Sequence, residues 1–229
     1  DSQWFEDHSP VDPRFRKPVV KGVSANVICA AMLGGDEYPS TAIGINLPNA
    51  DWIRAEYGSK SITISNITEA YNKASRGNGF KEEFVIDKDT LQLIDKYGDI
   101  CDDLHTDLHE CLGHGSGQLL AGVDPDALKA YGNTIEEARA DLFGLYYIAD
   151  KKLIELGLLP DSEAYKSQYY TYMMNGLMTQ LIRINPGNHI EEAHMRNRAL
   201  IAHWCLENGH AVKLVKHKDK TYVEITDYA

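Results

Sequence analysis

The sequence predicts a mainly α fold with small β elements, an α+β chain that ends in a β-hairpin. Three observations predict it. Apolar residues recur at three- and four-residue spacing through most of the chain after residue 68, the pattern of helices buried on one face. The period-two segment Ser61-Ile62-Thr63-Ile64 and the stretch from Ile43 to Asn49 supply short extended elements before them. Hydrophobic residues at 43% and charged residues at 25% of 229 positions provide a core, and they argue against a disordered, collagen-like or coiled-coil chain.

Taken in order, Pro10, Pro13 and Pro18 break any helix near the start, so the first ~40 residues read as extended or irregular up to an apolar run over 23–33. Gly34-Gly35-Asp36 reads as a turn, and the segment from Ile43 ends in a loop at Pro48-Asn49. Helices are expected over 68–76, 88–97, 102–121, 134–156, 162–184 and 189–208, with Gly209 as the cap of the last. Two strands, 211–215 and 221–225, flank the polar His217-Lys218-Asp219-Lys220 and read as a hairpin. No repeat, low-complexity tract or interior linker divides residues 1–229, which read as one domain.

Charge narrows the function. The chain carries 23 Lys and Arg against 34 Asp and Glu, a net charge of −11, which argues against nucleic acid and anionic membrane surfaces as partners. No apolar run approaches the ~20 residues of a membrane span. The start, polar and proline-bearing, is not a signal peptide, and the missing initiator methionine leads us to expect a fragment of a longer chain. Cys29, Cys101, Cys111 and Cys205 form no C-x-x-C pair or dense framework, so a reducing, cytoplasmic setting is expected.

The chemistry concentrates in His109-Glu110-Cys111-Leu112-Gly113-His114, inside a helical pattern. It is the H-E-x-x-H zinc signature with one residue too many. Histidines four apart on a helix lie ~40° from one another, whereas five apart they diverge by ~140°. A one-residue π-type bulge returns both rings to one side, and Gly113 is the residue that takes such a distortion at low cost. A third ligand is expected from Glu136-Glu137-Ala138-Arg139-Ala140-Asp141, where Glu137 and Asp141 share a helix face. One acid there can bind metal while its neighbours fix the histidine tautomers, and Glu110 can act as base on the water.

Bland alternatives stand beside these. Thr134-Ile135-Glu136-Glu137 fits a capping box, and His105, four before His109 on the same face, would need a differently wound helix to be a ligand. Gly113 to Gly117 resembles neither a phosphate loop nor a serine elbow, because no strand precedes it and His114 stands where the elbow needs glycine. Asn46 and Asn49 read equally as turn residues around Pro48, and His194 as a packed helix histidine. The tyrosines at 146, 147, 165, 169, 170 and 172 read as core and interface rather than substrate binders.

The two motifs together resemble the H-E-x-x-x-H zinc site and the E-E-C-R-A-E motif of the dipeptidyl peptidase III family, peptidase family M49. The resemblance implies zinc held by His109, His114 and Glu137, with Glu110 as catalytic base on zinc-bound water. It also implies Glu136 and Asp141 as partners of the histidines. Gly44-Ile45-Asn46-Leu47-Pro48-Asn49 is similar to the family's segment whose asparagines, here Asn46 and Asn49, hold the substrate's free N-terminus. The segment from Glu192 to Arg198 is similar to the helix whose histidine, here His194, assists at the transition state, with Arg198 near the substrate. What the family implies is a dipeptide-releasing exopeptidase acting on oligopeptides, with zinc on a helix-rich lobe of a two-lobed enzyme. Ala138 stands where the family has cysteine, and Asp141 replaces glutamate, so its bond to a histidine is expected to be lengthened or water-mediated. No second lobe is recognised, so the chain reads as the catalytic lobe alone, active or with little activity until that lobe is supplied.

Overall fold

The computed structural model describes residues 2–21, 24–32, 34, 43–48 and 50–228. It confirms the α+β class. The chain divides into two compact units. One comprises Asp1–Arg76, Asp103–Gly132 and Arg139–Tyr147, the other Gly77–Asp102, Asn133–Ala138 and Ile148–Ala229.

In the first unit, helix α1 (Ser2–Asp7) precedes a three-stranded sheet of β1 (Ser24–Ile28), β2 (Gly44–Leu47) and β3 (Lys60–Ile64), in the order β1-β3-β2. Strand β1 runs parallel to β3 and β2 antiparallel to it, with Asn46 opposite Ser61. Helices α2 (Asp51–Tyr57) and α3 (Ser65–Ser75) flank β3 in sequence. The apolar run after residue 23, read from the sequence as extended or irregular without strand bounds, becomes strand β1 because β3 offers it a partner; the turn expected at Gly34-Gly35-Asp36 lies partly outside the described residues. Helix α5 (Lys88–Leu108) brings its last turns into this unit, with Leu104 and Leu108 buried. Tyr147 donates its hydroxyl to the Phe5 carbonyl while the two rings meet edge to face at 4.8 Å, which seats α1.

In the second unit lie α4 (Phe80–Phe84), the first turns of α5, part of α6 (Gly132–Ile148), then α7 (Lys151–Glu155), α8 (Ala164–Leu177) and α9 (Ala193–Asn208). Strands β4 (Val212–His217) and β5 (Lys220–Ile225) close it as the expected hairpin. The turn is tighter than the sequence suggests: His217 pairs with Lys220, leaving Lys218 and Asp219 as a two-residue turn with Lys218 at φ 55. Helices α8 and α9 touch almost backbone to backbone at Gly176, where a Cβ would stand 2.5 Å from the Arg198 carbonyl oxygen. Tyr172 donates to Asn197 Oδ1 at 2.9 Å across this buried seam, and Tyr170 donates to the Val223 carbonyl at 2.9 Å, tying α8 to β5.

Helix boundaries depart from expectation both by merging and by breaking. The helices expected over 88–97 and 102–121 are one element, α5, which passes into a π-turn over His109–Gly113 and stops there, ahead of a glycine-rich loop with Gly117 at φ +70. The helix expected over 134–156 breaks after Ile148, where the Asp150 side chain accepts from Lys152 N and starts α7. Thr134 lies inside α6, which begins at Gly132, so the capping-box alternative for Glu137 is not realised. Among the described residues, no helix is long and apolar enough to cross a membrane.

Candidate metal centre

The five-residue histidine spacing is accommodated by the winding it demands. Residues His109–Gly113 form a π-turn continuous with α5, closed by His114 N donating to the His109 carbonyl at 2.9 Å. The rings of His109 and His114 consequently approach edge to face, 4.7 Å between centroids. Gly113 is required here for close approach: a Cβ on it would stand 2.7 Å from the Ala140 Cα, so π-turn and α6 meet where neither carries bulk.

Asp141, one turn after Glu137 on α6, is 3% exposed and accepts from His109 Nδ1 at 2.7 Å. That bond is direct and short, correcting the expectation that an aspartate in this place would reach its histidine only at length or through water: the close π-turn–α6 packing at Gly113 and Ala140 makes up the missing methylene. Burial alone would raise the Asp141 carboxyl, but hydrogen bonds from His105 and His109 hold it well below the usual carboxylate range. His105 meets the same oxygen, Oδ1, from Nε2 at 3.0 Å. Read from the sequence only as a ligand that would need a differently wound helix, His105 instead meets Asp141, and the signal for a role was its position four residues before His109.

Glu110 is buried beside His109, and the backbone of Gly44 in β2 lies against its carboxylate, with a Cβ there only 3.0 Å from Oε1. Asn46, on the same strand, donates Nδ2 to Ser61 Oγ at 2.8 Å and to the Glu110 carbonyl at 3.0 Å. Its Oδ1 is buried with no hydrogen-bond partner among the described residues. Asn49 lies outside the described residues. Past His114, Ser116 donates to the Gly113 carbonyl at 2.8 Å, and the Arg139 guanidinium donates to Ser116 Oγ at 2.9 Å. The buried Glu6 carboxylate accepts from Gly117 N at 3.0 Å, pinning the glycine-rich loop. The braces from Arg139 and Glu6 are long-range, and nothing local in the sequence marks them.

In the second unit His194, in the first turn of α9, meets Glu137 Oε2 through Nε2 at 3.2 Å and Glu192 Oε1 through Nδ1 at 2.6 Å. Glu137 first, then Glu192, raise its pKa to about 9 against the opposing effect of burial. Glu192 also caps α9 by accepting from His194 N and Met195 N. Arg198 lies one turn on and is half-buried, as is Glu136 beside Glu137.

The donors present fit a divalent metal: imidazole and carboxylate, converging and largely buried, with His105, His109 and Asp141 offering ligand atoms all within 4.8 Å of one another. Fold and centre together define the class, an α+β protein whose helices carry a candidate histidine–carboxylate metal centre. The chain belongs to peptidase family M49, whose sequence profile matches residues 37–130 and 125–227. Its solved neighbours include dipeptidyl-peptidase III from Corallococcus sp. strain EGB, with a TM-score of 0.75 and 28% identity over 97% of this chain and 40% of that one. Dipeptidyl peptidase 3 of Dictyostelium discoideum is 25% identical over 226 residues, covering 80% of this chain and 31% of that protein. The protein named Nudix hydrolase 3 of Arabidopsis thaliana is 28% identical over 225 residues, 95% of this chain and 27% of its own length. The chain therefore spans less than a third of these curated relatives and about two-fifths of the solved chain.

Proposed function

We propose that this chain is the zinc-binding part of an exopeptidase that releases dipeptides from the free N-terminus of oligopeptides. The observation that carries the reading is the π-turn, which turns His109 and His114 toward each other and presents His109 to Asp141. In this reading His109, His114 and Glu137 hold one zinc ion, and zinc when bound polarises the scissile carbonyl and acidifies the attacking water. With Nδ1 of His109 given to Asp141, Nε2 is the nitrogen that turns to the metal, the tautomer being fixed from behind. Glu136 would do the same for His114.

Glu110 takes the proton of the attacking water and passes it to the leaving amine. The close backbone of Gly44 restricts where its carboxylate can go. His194, kept cationic by Glu137 and Glu192, has the charge suited to a developing oxyanion. Asn46 spends its amide protons on Ser61 and Glu110, which leaves Oδ1, the acceptor a substrate ammonium needs. Asn49 and Arg198 complete the substrate contacts in this reading, and the cytoplasm is the proposed setting.

The share of relatives' length that the chain spans favours a second reading, a zinc-binding lobe with little activity until the remaining lobe is supplied. A hydrolysis assay on dipeptidyl chromogenic substrates, run on this chain and on a longer chain carrying the second lobe, separates the two. Activity in both supports the enzyme reading; activity in the longer chain alone supports the lobe reading. Absence of one zinc per chain, or zinc retained after His114→Ala, would sink both.

A further inference from the structure

His105 belongs to no motif, yet it ends buried on the same carboxylate oxygen as His109. One oxygen of Asp141 accepts two imidazole N–H groups, at 3.0 Å from His105 and 2.7 Å from His109. A single carboxylate oxygen shared this way is oriented from two sides, because rotation that favours one ring lengthens the bond to the other. A second observation shows that the fold makes room for the ring. Gly144, three residues after Asp141 on α6, faces it so closely that a Cβ there would stand 3.2 Å from both Cε1 and Nδ1 of His105. An aspartate reaches less far than a glutamate, so its aim matters more.

We infer that His105 is a positioning residue for the metal centre: it holds the Asp141 carboxylate in the orientation that fixes His109 as a metal ligand. The inference rests on the proposed zinc site. Carboxylates that orient a ligating histidine typically govern metal affinity 10- to 100-fold, and His105 should share in that effect by acting through Asp141.

The test is zinc affinity of the purified chain, read by competition with a chromogenic chelator, with the thermal unfolding of each metal-free variant recorded alongside. His105→Phe keeps the ring volume and removes the donor, and should weaken zinc binding about tenfold or more. His105→Gln carries an amide N–H near the level of Nε2 and should restore wild-type affinity. In an Asp141→Asn background, His105→Phe should add no further loss, because the two residues act as one. Gly144→Ala, which crowds the ring without removing it, should weaken binding in the same direction as His105→Phe. Unchanged affinity in His105→Phe, or an additive loss in the Asp141→Asn background, overturns the inference. Equal loss in His105→Gln and His105→Phe overturns it too, marking His105 as a direct ligand. If the wild type binds no zinc, or His114→Ala binds it as tightly, the metal reading itself fails and takes the inference with it.

Discussion

Glu110 combines burial, a place beside His109 in the π-turn and a backbone neighbour in Gly44 that limits its motion. General-base catalysis contributes roughly 10²- to 10⁴-fold, so Glu110→Gln should lower kcat by about that factor in whichever form of the protein hydrolyses peptides. Zinc content should stay at one per chain; its loss would make Glu110 a structural or metal-holding residue. His194 gives a pH signature. In the metal-free protein its pKa lies at about 9, above the ordinary 6.5, because Glu137 and Glu192 flank it. Its stabilising contribution is therefore complete below pH 6.5 and is lost as pH rises through about 9. NMR titration of the His194 ring should show that midpoint, and Glu137→Gln should move it down; a wild-type midpoint near 6.5 would contradict the pairing. The residue scale was the most legible in the sequence where spacing carries geometry. H-E-x-x-x-H with Gly113 demands an extra residue per turn, and the π-turn supplies it. It was least legible for Asn46 and Glu6, whose partners Glu110 and Gly117 lie 64 and 111 positions away.

At the scale of elements, two close approaches set the geometry. The first is π-turn against α6 at Gly113. Overpacking a well-filled seam typically costs about 1–3 kcal/mol, and here Gly113→Ala places a methyl within 2.7 Å of backbone, so denaturant unfolding should show at least that loss. An unchanged midpoint would mean that the π-turn can move away from α6. The second is α8 against α9, bonded by Tyr172 and Asn197. Tyr172→Phe leaves Asn197 Oδ1 buried without this donor, a loss of about 1–3 kcal/mol, also read from denaturant unfolding, while the zinc content of the chain should not change. Long helices were legible because apolar periodicity over many turns outweighs local noise. Their ends were not: the break at Asp150 is one cap among several candidates, and α9 begins at Ala193 because Glu192 caps it. Strand β1 was legible only as extended or irregular chain, because a parallel strand has no local signature and needs β3 before it can pair.

For the whole molecule, burial arranges the cysteines by reactivity. Cys101 is fully buried, donates to the Ala164 carbonyl at 3.2 Å, and burial pushes its thiol up to about 12, whereas Cys29 is exposed. Native alkylation followed by mass spectrometry should label Cys29 and spare Cys101 until the protein is unfolded; early labelling of Cys101 would show that its surroundings open. Composition and charge indicated an acidic globular protein, apolar periodicity a helix-rich one, and the motifs pointed to family M49, which the profile match across both halves of the chain establishes. What the sequence could not supply was the joining of strands, helices and loop around one turn of α5.

The most direct measurement is an anomalous-scattering map from crystals of the zinc-loaded chain, recorded at the zinc edge. One peak is expected about 2.0–2.2 Å from nitrogens of His109 and His114 and from a carboxylate oxygen of Glu137. No peak there, or a single peak seated between His105 and Asp141 instead, would overturn the proposed zinc site.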